Sequence, residues 1–340
     1  MSKYCSAAVC GAAVQNARNG YIKRGFLPKM ETEKEIIRSF PWQDFSAEDE
    51  FRGWRQAKIR SLARLSELPE IRMDSLLSRG GDALSALKDR CAIAHYALYR
   101  VAEKESETKA DCQALATFSR SLGFSLPEDH RSAGASGVVA LRTSSEPSKR
   151  GYIPYTTRPL NWHTDGYYNP GSAPVKAFIL HCHRQAATGG ENQIADPEAA
   201  YLRMREANPE FVQALMHPEA MTIPENLEPD GTLRPASVGP VFFADERSGR
   251  LQMRYTARTR SIEWRDDATT RKATEWLKDW LQSDDPLIRS FRLESGQGIV
   301  SNNVLHNRTG FDDGTGAESE RVMLRVRFHE RLTEDHHGAA

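Results

Sequence analysis

Apolar positions change their spacing as the chain is followed from its first residue. Phe51, Trp54, Leu62 and Leu65 recur at roughly helical intervals, with Arg and Lys between them, and Ser46 followed by Asp49 reads as a helix start. The pair Gly80-Gly81 then marks a break. Ala83 to Asp89 predicts a short helix, Ala92 to Tyr99 a buried strand, and Lys109 to Leu122 a second helix closed by Gly123. Beyond it the runs shorten and turn β-rich: Gly137 to Leu141, Val175 to His183, Pro240 to Phe243, Leu251 to Thr256, Gly298 to Val300 and Arg321 to Phe328. Turns rich in Gly, Pro and Asn separate them, which favours an antiparallel sandwich or barrel. One helix interrupts, where Ala273, Trp276, Leu277, Trp280 and Leu281 keep an i, i+3, i+4, i+7, i+8 stripe. Strands and helices do not alternate regularly, and there is no GxGxxG or phosphate-binding loop, so a doubly wound nucleotide fold is disfavoured.

Composition narrows the class. With 340 residues the chain is long enough for a substantial core, and its 46 basic and 46 acidic side chains leave no net attraction for nucleic acid or anionic lipid. No uncharged apolar run approaches the roughly 20 residues of a membrane helix. Cys5, Cys10, Cys91, Cys112 and Cys182 are odd in number and form no CxxC pair, which predicts a reducing, cytoplasmic setting. Residues 1–30 carry Lys3, Arg18, Lys23, Arg24 and Lys29 and no acid; a solvated tail is expected there, with an organellar leader as the alternative. The expected organisation is an extension over residues 1–80, a tail plus helices, and a catalytic domain over residues 81–335. The expected partner is a small molecule, with no nucleic acid or membrane and with a homo-oligomer left open.

The chemistry concentrates in two places. In Asn161-Trp162-His163-Thr164-Asp165-Gly166, positions i and i+2 of an extended segment face the same way, so the imidazole of His163 and the carboxylate of Asp165 can meet on one ion. A third ligand has to come from elsewhere, and His306, in Asn302-Asn303-Val304-Leu305-His306-Asn307-Arg308, is a candidate. Two histidines and one carboxylate on one face of an ion leave the opposite positions open, as non-haem Fe(II) oxygenases require. Farther on, period-two alternation sets Arg321, Met323, Arg325 and Arg327 on one face of a strand and Val322, Leu324, Val326 and Phe328 on the other. The basic face either meets solvent or lines the inside of a barrel, where a guanidinium fork can hold a carboxylate.

The order Trp-His-Thr-Asp-Gly, then Gly189-Gly190-Glu191-Asn192, then a distal His, then Arg-x-Met-x-Arg resembles the taurine dioxygenase family, a branch of the Fe(II)/2-oxoglutarate-dependent dioxygenases. The resemblance runs from about residue 82 to residue 332 and leaves the first eighty residues outside. It implies a β-rich α+β fold, a double-stranded β-helix (a jelly roll or cupin-like barrel) with flanking helices. It implies His163, Asp165 and His306 as iron ligands, Arg321 and Asn192 as contacts of the cosubstrate 2-oxoglutarate, and dioxygen as the oxidant. Arg325, farther along the face of Arg321, would meet an acidic group of the primary substrate. The family commonly has a threonine where this chain has Asn192, and the loop between the distal His and the first Arg, residues 307–320, is longer than in taurine dioxygenase itself. Both departures argue against taurine itself as substrate. The implied reaction is hydroxylation of an unactivated C–H bond of a small anionic or zwitterionic molecule, with succinate and CO2 released. A carboxylate at Asp165, where related halogenases carry a small residue, favours hydroxylation, or a desaturation or cleavage that begins alike. A non-catalytic small-ligand-binding β-barrel and a zinc hydrolase using the same ligands are the alternatives.

Other residues have weaker cases. Tyr167 and Tyr168 are candidates for the substrate pocket as well as for the core, and Arg254 is a further candidate anion contact. His181 and His183 share a strand face with Ala177 and Ile179 and are expected to pack rather than bind metal, while Cys182 points the other way. Trp276 and Trp280 belong to an apolar helix stripe, and His336 and His337 to a polar tail.

Overall fold

The computed structural model describes residues 27–332 apart from residue 79 and the short segments 104–106, 130–135, 147–151, 229–230 and 317–318. Two sheets face each other. The larger is six-stranded, in the order Ile71–Met73, Tyr96–Val101, Gln297–Ser301, Ala177–Arg184, Val322–Phe328, Val139–Leu141. The smaller is four-stranded, in the order Ile288–Phe291, Asn192–Ala195, Leu305–Arg308, Leu160–His163. All neighbours pair antiparallel except Ile71–Met73, which runs parallel to Tyr96–Val101. This is the jelly-roll barrel with flanking helices that the family resemblance implied.

The alternation of the last strand decides its two environments. Val322, Leu324, Val326 and Phe328 pack with Leu115 and Phe118 of helix Thr108–Ser121 and Leu87 of helix Gly81–Ala94. At about 1.5–3 kcal/mol for each large apolar side chain buried, that face fixes the register of the strand. Met323 points between the sheets, where it meets Phe178, Cys182, Ile194 and Ile299. The basic positions of the same face therefore project into the barrel, not into solvent.

A third cluster joins the first eighty residues to the rest. Phe40, Phe51 and Trp54 pack around Tyr201 and Phe242, with the rings of Phe40 and Trp54 stacked at 4.5 Å. Helices Leu27–Ser39 and Glu48–Glu67 are thus fastened to helix Pro197–Ala207, and Ile71–Met73 is an edge strand of the larger sheet. Among the described residues no helix is long and apolar enough to cross a membrane. Residues 1–26 and 333–340, with Lys3, Arg18, Lys23, Arg24, Cys5, Cys10, His336 and His337, lie outside the described residues, while Lys29 falls within helix Leu27–Ser39.

Two local expectations fail. Ala92, Ile93 and Ala94 belong to helix Gly81–Ala94 and not to a strand; His95, at φ 64°, turns the chain and the strand begins at Tyr96. A short apolar run carries no period, so helix and strand look alike there. Ser46 does not cap its helix either: its hydroxyl donates to Asp44 at 2.6 Å, and the helix starts at Glu48 with three acids in its first turn.

Candidate active site

His163 closes strand Leu160–His163 and lies directly opposite His306 in the antiparallel pair with Leu305–Arg308. Register, not sequence proximity, brings residues 143 positions apart to imidazole centroids 4.2 Å apart. Asp165 arrives by a different route from the one its spacing suggested. The strand has ended, and Asp165 sits in the following turn, its N–H donating to Oδ1 of Asn303 at 2.8 Å. Gly166 continues that turn at φ 66°, where an added Cβ would overlap the Val175 side chain. His163 Nε2 and Asp165 Oδ1 are 4.0 Å apart, and one ligand atom from each of His163, Asp165 and His306 lies within 4.8 Å of the others.

The donor atoms are oriented for a cation. Nδ1 of His163 is 2.9 Å from the carbonyl of Asn161, and Nδ1 of His306 is 2.9 Å from that of Val304. Each carbonyl accepts from an Nδ1–H, which leaves the Nε2 lone pair free to ligate. Burial pushes the His163 imidazolium down to about 3, helped by His306 and opposed by Asp165, and burial also lowers His306. Both imidazoles are therefore neutral at ordinary pH. Burial alone would raise Asp165; Arg325 and Arg327, followed by the imidazoles, outweigh it and hold the carboxyl well below the usual range. Its Oδ2 is buried without a hydrogen-bond partner. Two free imidazole nitrogens and an orphaned carboxylate oxygen fit a divalent ion on one face, as Fe(II) takes it in this ligand set.

Arginines surround this centre. Arg325 Nη1 is 3.2 Å from Asp165 Oδ1, and Arg327 Nη1 is 3.7 Å from the same oxygen. Arg327 also pairs with Glu128 and donates to the Tyr168 hydroxyl at 3.2 Å. The Arg321 guanidinium is buried, its carbon 4.9 Å from the centre of the Phe311 ring and its Nε beside the Gly190 turn. Asn192, also buried, donates to the Gly190 carbonyl at 3.2 Å. Arg254 has different partners from the anion that its sequence position suggested. It donates to the carbonyls of Tyr167, Met221 and Ser237 at 2.7, 3.3 and 2.7 Å, which ties three segments together. Tyr167 sits edge-on to His163, with ring centroids 6.4 Å apart. Asn303 and Arg308 were in view in the sequence without a role. The i, i+2 spacing that drew attention to His163 and Asp165 is also that of His306 and Arg308, which do lie on one strand.

Two further groups of titratable residues lie away from the barrel interior. His183 Nδ1 is 2.6 Å from Asp111 of helix Thr108–Ser121, and His181 Nδ1 is 3.2 Å from the Tyr99 hydroxyl. His95, Asp196 and Glu198 converge as well, but the ammonium of Lys58 already stands 2.6 Å from both carboxylates, where a metal would have to sit.

The chain is 32% identical over 197 residues to uridine-5'-phosphate dioxygenase from Amycolatopsis sp., an alignment covering 55% of this chain and 66% of that protein. Among solved structures it is similar to the non-heme iron oxygenase OrfP, solved with Fe, succinate and (3S)-hydroxy-L-Arg. The TM-score is 0.55 at 14% identity, over 91% of this chain and 92% of that one. It is also similar to PvcB from Pseudomonas aeruginosa, with a TM-score of 0.51 at 15% identity over 74% and 82% of the two chains. At these identities the two structures share the fold. The OrfP match covers more of the chain than the 260 residues after residue 80 could supply, so the common fold extends into the first eighty. The family profile for the taurine catabolism dioxygenases TauD and TfdA matches residues 106–327, a span that holds His163, Asp165, His306, Arg321 and Arg325. The chain belongs to the taurine catabolism dioxygenase TauD, TfdA family, and so to the Fe(II)/2-oxoglutarate-dependent oxidoreductases.

Proposed function

We propose that this protein hydroxylates an unactivated C–H bond of a small anionic or zwitterionic molecule, consuming 2-oxoglutarate and dioxygen and releasing succinate and CO2. The observation that carries the proposal is the gathering of His163, Asp165 and His306, one ligand atom from each within 4.8 Å of the others, with both Nδ1 atoms engaged by carbonyls and the Oδ2 of Asp165 left without a partner. His163, Asp165 and His306 would hold Fe(II), which, with 2-oxoglutarate bound, supplies the activation of dioxygen. The work of the chain is to position and to exclude water. Arg321, buried beside Asn192 and the Gly190 turn, is the cation for the distal carboxylate of the cosubstrate. Arg325 faces the metal centre and is the cation for an acidic group of the substrate; Tyr168, fixed by Arg327, walls the same space.

An anionic substrate is supported from two sides. Among the described residues Arg325 forms no ion pair other than that with Asp165, and a carboxylate that ligates a cation gives up part of its hold on a neighbouring guanidinium. The relative from Amycolatopsis acts, by its name, on a phosphate monoester of a nucleoside. Uridine 5′-phosphate therefore belongs in the first substrate panel, beside acidic amino acids, sulfonates and betaines. The three described cysteines, Cys91, Cys112 and Cys182, are free thiols, which supports a reducing, cytoplasmic setting.

The test is anaerobic titration of the full chain with Fe(II) and 2-oxoglutarate. A visible charge-transfer band near roughly 500 nm is expected for the chelate and should vanish in His163→Ala. Screening the panel for substrate-stimulated succinate release then identifies the substrate. Turnover without dioxygen and without succinate would replace this reading by a zinc hydrolase.

A further inference from the structure

His306 and Arg308 are two residues apart on one strand, and their Cα partners Ile194 and Asn192 are likewise two apart on the next. Ile194 belongs to the core between the sheets, so Arg308 follows His306 on the inward face. Asn307, between them, turns outward and pairs its side chain with Gln193 at 2.8 Å. A guanidinium at such a place needs a reason, because burying a cation is costly unless it is paired.

Arg308 is only 6% exposed. One end of its guanidinium donates to the carbonyls of Thr156, at 3.1 Å, and of Arg158. Its Nε is buried and has no partner. The guanidinium carbon lies 4.6 Å from the centre of the Phe311 ring, the ring that Arg321 approaches at 4.9 Å. Two buried cations thus share one aromatic ring. Among the described residues neither has a carboxylate within 4.0 Å, and Asp313 accepts instead from the main-chain N–H of Arg321 and from the Thr143 hydroxyl. Asp313 offsets part of this charge from farther off, and the rest is left to be balanced by an anion from solution.

We propose that Arg308 is a second cation of the pocket for the distal carboxylate of 2-oxoglutarate, acting beside Arg321. The pair makes the site demand a dicarboxylate where a simple 2-oxo acid would satisfy the metal. The inference rests on the proposed function, since it presupposes a 2-oxo acid chelated at the metal. It adds a specificity residue: the strand that supplies His306 to the metal also supplies charge to the far end of the cosubstrate.

The experiment compares anaerobic binding of 2-oxoglutarate and of 2-oxobutyrate, which lacks the distal carboxylate, to the Fe(II)-loaded full chain. The visible band of each chelate reports the affinity. Arg308→Gln is expected to weaken 2-oxoglutarate about 10- to 100-fold, the range of a lost charge-assisted hydrogen bond, and to leave 2-oxobutyrate unchanged. Arg308→Lys should recover part of the loss. Arg321→Gln, which retains Arg308, should keep a residual preference for the dicarboxylate, and this arm stands even if Arg308→Gln does not fold. Equal weakening of both 2-oxo acids in the Arg308 variants would reduce Arg308 to a brace for Thr156 and Arg158 and overturn the proposal. So would complete loss of the preference in Arg321→Gln. If the unaltered protein binds Fe(II) but neither 2-oxo acid, the proposed function fails first, an outcome distinct from a lost preference alone.

Discussion

Asn303 holds Asp165 by its main chain. Its Oδ1 accepts the Asp165 N–H at 2.8 Å, and its Nδ2 donates to the Asp165 carbonyl at 3.0 Å and to that of Val175 at 2.7 Å. Asn303 itself sits at φ 56°, a conformation that asparagine tolerates better than most residues. It lies three positions before His306, so one amide couples the turn carrying one candidate ligand to the strand carrying another. Asn303→Ala should lower Fe(II) affinity about 10- to 100-fold, as loss of an outer-shell partner does, while the chain still folds. Anaerobic Fe(II) titration checks it, and an unchanged affinity would remove Asn303 from the site.

The turn after Asp165 should tolerate no side chain. Gly166→Ala places a Cβ at φ 66° and against Val175, and is expected to cost about 1–3 kcal/mol and to weaken metal binding. Gly171→Ala, whose Cβ would meet nothing within 4 Å, is the control and should be close to neutral. Equal denaturant midpoints for the two variants would contradict the turn geometry.

Lys58 is fully buried between Asp196 and Glu198 and also donates to the carbonyl of Ile93. Glu198 has further partners in Arg250 and His95, but among the described residues Asp196 has no salt-bridge partner besides Lys58. Lys58→Met should therefore destabilise the fold by about 3–5 kcal/mol, the cost of stranding a buried charge. Asp196 also caps helix Pro197–Ala207, directly after the strand that pairs with His306. Urea denaturation reads the loss. A variant within about 1 kcal/mol of the unaltered chain would mean that the buried Lys58 pairs contribute little to the fold.

Acid should weaken the fold well before carboxylates protonate. Burial pushes His181 down to about 4, against the opposing pull of Asp111, so the folded chain keeps it neutral. The unfolded chain takes up a proton near pH 6.5. Its contribution to stability is thus complete above about pH 6.5 and is lost as pH falls from there towards 4, about 2 kcal/mol of it by pH 5. His95, likewise lowered by burial, acts in the same direction. Denaturation midpoints at pH 7 and pH 5 should differ accordingly, and less so in His181→Gln. An identical pH slope in that variant would rule out His181 as the source.

The sequence by itself determined what depends on nearest neighbours along a strand or helix. Alternation in residues 321–328 divided that strand into an apolar face and a basic one, and the helical stripe of residues 273–281 placed a helix that is found over Ala268–Trp280. Residue type and spacing likewise singled out His163, Asp165 and His306 as candidates. Which face of a strand turns inward, and which distant residue stands opposite, are properties of packing that the sequence does not carry locally. Only the pairing of Leu305–Arg308 with Leu160–His163 set His306 against His163, and only the Asn303 clamp explains how Asp165 converges from a turn instead of a strand. Arg254 makes the same point in reverse. From the sequence it was a candidate anion contact, and in the fold it donates to three carbonyls from separate segments, because a buried carbonyl left unpaired costs about as much as a lost hydrogen bond.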